Sequence, residues 1–85
     1  MIKSEVTVAI KGGLQARPAA MFVQEANRFS SIVNIEKDGK VANAKSIMGI
    51  MSLAIRHNAT IVISTDGHDE QEALDTLVDY IQNPS

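Results

Sequence analysis

The chain has 85 residues, 45% hydrophobic and 21% charged, with a formal net charge of -2 and no cysteine. This describes one globular domain over residues 1–85 and excludes a disordered chain, a disulfide scaffold and a thiolate metal site. The eight Lys and Arg residues are scattered rather than striped, which argues against direct contact with nucleic acid. No run approaches a membrane span, and Met1–Ile10 lacks the apolar core of a signal peptide, so a cytoplasmic protein with no membrane partner is expected.

Glu5 to Ile10 alternates and is β-branched, which predicts a first strand. Lys11-Gly12-Gly13 breaks it. Ala16, Ala19, Ala20, Val23, Ala26 and Phe29 then fall at helical spacing, with Pro18 in the first turn, where a missing N–H costs nothing. Ser31 to Glu36 reads as a second strand, and Lys37-Asp38-Gly39-Lys40 as a hairpin turn leading to a short strand from Lys40 to Asn43. Lys45 to Ile55 reads as a helix. Ala59 to Thr65 is a β-branched strand that ends at Asp66-Gly67. Asp69-x-x-Glu72 matches a capping box before a helix that places Ala73, Leu74, Leu77, Val78 and Ile81 on one face. The order β-α-β-β-α-β-α predicts an α+β two-layer sandwich: a four-stranded, mainly antiparallel sheet with three helices on one face.

Two stretches carry candidate chemistry. In Gly13–Ala20, Gln15 falls at the cap of the first helix, where unpaired N–H groups and the helix dipole favour an anion. Arg17 adds a guanidinium able to fork onto phosphate oxygens. The alternative is that Gln15 only caps the helix and Arg17 is a solvated charge. In the second stretch Ser46 precedes an apolar run, as an N-cap does. Ile47 to Ile55 is apolar nearly all round, and a short helix in a two-layer domain buries only one face. Met48 and Met51 are therefore either core or part of an exposed binding patch.

Both stretches resemble the HPr family of the bacterial sugar phosphotransferase system. GLQARPAA is similar to that family's phosphorylation loop, and KSIMGIMSL to its regulatory serine segment in Gram-positive bacteria. The likeness spans the chain and implies an HPr-like open-faced sandwich. It also implies phosphorylation of Ser46 by HPr kinase/phosphorylase and docking on catabolite control protein A. Gln15, Arg17, Ala20, Met21 and Gln24 would face that partner from the first helix, and Ile47, Met48 and Met51 would supply the apolar patch. Arg17 would neutralise part of a Ser46 phosphate if the two helix N-termini lie together.

The departure is Gln15, where the family carries the histidine that accepts a phosphoryl group. An imidazole nitrogen attacks phosphorus, whereas an amide nitrogen has its lone pair delocalised. The expectation is a regulatory binding protein that is not an enzyme, with no cofactor and no metal. Two alternatives stand: a phosphocarrier using His57 or His68, and a self-associating or enzyme-binding module. In the latter, Gly12-Gly13 would act as the hinge of a homodimer made by N-terminal strand exchange.

Overall fold

The computed structural model describes residues 1–83. Chain order is β1 (Ile2–Thr7), α1 (Ala16–Ala26), β2 (Ile32–Lys37), β3 (Lys40–Asn43), α2 (Ile47–Ser52), β4 (Thr60–Asp66) and α3 (Glu70–Gln82). The strands form one sheet in the order β1-β4-β2-β3, and every neighbouring pair is antiparallel. This is the expected α+β sandwich.

Register explains the two faces. Val6 lies opposite Ile61, Ile35 opposite Ile63 and Val33 opposite Thr65, and all six side chains are buried beneath the helices. The alternate residues Lys3, Glu5, Thr7, Ile32 and Glu36 are exposed on the other face. From the helical layer, Ala19, Phe22 and Ala26 of α1, Ile50 of α2, and Ala73, Leu74, Leu77 and Ile81 of α3 enter the core. Each large side chain buried there contributes about 1.5–3 kcal/mol relative to exposure. Phe22, absent from the face read in sequence, is fully buried and meets Tyr80 with ring centroids 6.1 Å apart. Ala16, assigned to that face, is exposed.

Three local expectations are corrected. First, β1 starts and ends three residues early. Ile2 already pairs with Thr65, and after Val8 the chain peels toward α3, where Ala9 N–H donates to Ile81 O at 3.1 Å. Second, α2 stops at Ser52 rather than Ile55. Ala54 turns left-handed (φ 50°), and the Ile55 carbonyl is taken by the N–H of Leu14 at 3.0 Å.

Third, Asp69 does not cap α3 with its side chain. Its carboxylate instead accepts from the N–H groups of Ser30 and Ser31, each at 3.0 Å, and from the Ser31 hydroxyl. These donors, the hydroxyl first, lower its pKa from 3.8 to about 2. The reciprocal bond at the helix start comes from Glu70, which accepts from Gly67 N–H at 3.1 Å.

Candidate functional site

The loop before α1 is shaped by backbone constraints. Gly12 and Gly13 both have positive φ, and a Cβ on Gly13 would overlap the Ile55 carbonyl and stand 2.7 Å from the Arg56 Cα. Only glycine fits there, so the loop presses against the segment that follows α2. Gln15 is extended (φ -133°, ψ 156°), and its side chain makes no cap hydrogen bond. The first turn of α1 contains no acidic residue. Its leading N–H groups therefore remain unmatched by side chains, and the reading of Gln15 as a simple helix cap is set aside. Ala16 follows with φ 52°, a conformation that strains any residue with a Cβ. Arg17 is exposed, and no carboxylate lies within ion-pair distance of it among the described residues.

At the start of α2 the reading of Ser46 as a helix cap holds. Ser46 is the N-cap, with its Oγ accepting from Gly49 N–H at 3.1 Å. That bond uses a lone pair and leaves the hydroxyl proton directed elsewhere. Ser46 itself is half-buried. Only Ile50 of this helix is buried, while Ile47 is 38%, Met48 77% and Met51 45% exposed. On α1, Met21 is 47% exposed, and Arg17 and Gln24 are exposed as well. Ala20 is half-buried between them. Ile47, Met48 and Met51 are thus presented to solvent from the single short helix α2, and Met21 is exposed on α1 beside the cleft with α3.

The relative direction of the helices departs from expectation. Lys45, just before α2, donates from Nζ to the carbonyl of Phe29, just after α1, at 2.7 Å. At the other end Leu14, just before α1, bonds Ile55, just after α2. The helices run in opposed senses, and their N-termini do not lie together. Arg17 belongs to the Gln15 end of α1, is exposed, and makes no hydrogen bond with Ser46 among the described residues. The cation beside Ser46 is Lys45, which the sequence reading passed over because a lysine preceding a cap has no distinctive spacing.

The histidines are apart from both ends or unsupported. His57 is exposed in the loop after α2. His68 lies at the far end of the sheet, its Nδ1 3.3 Å from Ser30 Oγ. Among the described residues no group of three or more acidic, histidine or cysteine side chains is arranged to hold a metal ion, and no helix is long and apolar enough to cross a membrane.

A sheet of this order with one helical face, a strained loop before α1 and a capping serine before α2 is the arrangement of the phosphocarrier class. The family model for the phosphotransferase-system HPr component phosphorylation site matches residues 2–83, and the chain belongs to the HPr family. It is 61% identical over 82 residues to the HPr-like protein Crh of Halalkalibacterium halodurans, covering 96% of this chain and 98% of that one. The solved phosphocarrier protein HPr of Bacillus anthracis superposes with a TM-score of 0.94 at 60% identity, over 95% of this chain and 96% of that one. The catabolite repression protein Crh of Bacillus subtilis, whose crystal structure is a dimer with a swapped domain, superposes with a TM-score of 0.77 at 58% identity, over 95% and 93% of the two chains.

Proposed function

We propose that this chain is a regulatory HPr-family protein of the cytoplasm that has left the sugar-transport phosphorelay. HPr kinase/phosphorylase phosphorylates Ser46 at the expense of ATP, and the phosphoprotein acts as a cofactor of catabolite control protein A in carbon catabolite repression. It has no catalytic activity of its own. The single observation that carries this reading is the pairing of Gln15, which is unable to accept a phosphoryl group, with an N-cap serine that borders an exposed apolar patch. Likeness to proteins named Crh supports it.

In this reading Ile47, Met48 and Met51 give apolar contact. Arg17, Ala20, Met21 and Gln24 extend the footprint along α1, and Gln15 marks its far end. Phosphorylation adds about 1.5 to 2 negative charges beside that patch, enough for one to three charge-assisted hydrogen bonds to a basic partner. Patch and phosphate act together, and either alone binds weakly. The partner, not this chain, contacts the operator.

Intact-mass measurement decides the matter. With ATP and HPr kinase/phosphorylase the chain gains one phosphate, and Ser46→Ala gains none. With phosphoenolpyruvate and the first enzyme of the phosphotransferase system it gains nothing. A phosphate acquired in that second reaction overturns the proposal and returns the chain to the carriers.

A second reading concerns self-association. β1 is an edge strand paired only with β4, and it is joined to α1 through Gly12 and Gly13. Exchange of β1 between two copies would recreate the same ladder in a homodimer, as the swapped relative illustrates. Sedimentation across a wide concentration range tests this, and one monomeric species throughout ends it.

A further inference from the structure

Of the four methionines in the chain, Met48 and Met51 of α2 are 77% and 45% exposed, and Met21 of α1, which also borders the cleft against Thr76, Asp79 and Tyr80 of α3, is 47% exposed; all three belong to the proposed docking face. Met1, 75% exposed, sits near the start of α3 at the other end of the sheet, 3.4 Å from Glu70 through its amino group. None of the four is buried, so none is shielded from a solvent oxidant, and conversion of any of them leaves the core intact.

We propose that Met21, Met48 and Met51 form a peroxide-sensitive modification site whose oxidation switches off docking. This rests on the reading of that face as a partner surface. In each step the thioether sulfur attacks the peroxide oxygen, the O–O bond breaks and an S–O bond forms. The leaving hydroxide takes the remaining peroxide proton and departs as water. Sulfur is oxidised by two electrons and hydrogen peroxide is reduced. A flexible apolar side chain becomes a polar one carrying a strong acceptor. On an interface that excludes water this acceptor has no assured donor, and a buried unmatched polar group disfavours binding about tenfold or more. Methionine sulfoxide reductases, supplied with two electrons and two protons by a thiol donor, break the S–O bond, release the oxygen as water and restore the thioether, so the switch is reversible.

The test uses the full chain phosphorylated on Ser46, treated with graded hydrogen peroxide. Peptide mapping reads each methionine, thermal unfolding reads the fold, and binding to catabolite control protein A reads docking. The expected result is one added oxygen at each of Met21, Met48 and Met51, an unchanged unfolding midpoint, and affinity lowered about tenfold or more. Methionine sulfoxide reductases should restore it. The variant Met21→Leu/Met48→Leu/Met51→Leu should keep its own affinity, whatever that is, through the same treatment.

Protection of the three methionines under conditions that convert Met1 overturns the site. Full sulfoxide at the three with unaltered affinity overturns the switch, as does a peroxide-induced loss in the leucine variant. Failure of the untreated phosphoprotein to bind would instead overturn the functional reading, and the map would still decide the modification.

Discussion

Lys45 Nζ donates to the carbonyl oxygen of Phe29 at 2.7 Å, and through this bond the beginning of α2 is fastened to the end of α1. An ammonium at that carbonyl also suits the negative end of a helix. Lys45→Met keeps the aliphatic stem and removes the donor. A loss of about 1 kcal/mol is expected, since charged hydrogen bonds have a modest net worth where water competes. Urea unfolding with an unchanged slope would verify it, and unaltered stability would show that the bond contributes nothing.

Ser46 is held by one cap bond, so its removal has a defined size. Ser46→Ala should cost about 1 kcal/mol, and Ser46→Asp, which caps equally well, should stay near the parent. The comparison separates the structural role of the hydroxyl from its proposed role as phosphate acceptor. An aspartate lacks the second charge and the extra oxygens of a phosphoserine, so it should not reproduce tight docking.

Asp69 makes stability depend on acid. Its pKa lies below the ordinary 3.8, at about 2, because donors from Ser31 and Ser30 favour the charged form. The stabilisation is complete above pH 3.8 and is lost as pH falls through about 2. In Asp69→Asn this part of the acid slope should vanish, and the variant should be less stable at neutral pH. Unfolding midpoints from pH 6 to pH 2 would settle it, and parallel curves for the two proteins would contradict the assignment.

Gly13 lacks room for a Cβ and has positive φ, two independent penalties at one position. Gly13→Ala should lose roughly 2–4 kcal/mol. Gly12, also at positive φ but with open space around its Cβ position, should lose less on the same change. Equal losses would mean that the contact with Ile55 and Arg56 does not matter.

Gln15→His restores an imidazole at the loop before α1. It should acquire an acid-labile phosphate from phosphoenolpyruvate through the first phosphotransferase enzyme, while the parent acquires none. A silent variant would show that features around the loop, beyond the missing nucleophile, have diverged.

Element order and fold class were legible because alternation, helical spacing and turn residues all agreed. Ser46 as a cap was legible because a hydroxyl before an apolar run has few other uses. Three features were not. Strand ends depend on pairing partners, and the pairing of Ile2 with Thr65 leaves no local mark. Asp69 read as a cap because its spacing to Glu72 is correct, yet Ser30 and Ser31, 39 and 38 residues away, took its oxygens first. The direction of α1 against α2 is set by two long-range bonds, and no periodicity encodes it. The exposure of Met48 and Met51 was legible in part: periodicity left core and surface both open, and the resemblance to the HPr family placed them on the surface, where they are 77% and 45% exposed.

The opposed packing of α1 and α2 has a consequence for substitution at either end. The Gln15 loop rests on Ile55 and Arg56, while the Ser46 cap rests on Asn43, Gly49 and the Lys45 tether, and these two sets have no member in common. A substitution in one set removes none of the hydrogen bonds of the other. A change in the Gln15 loop can therefore be accepted while the hydrogen bond that caps α2 stays in place.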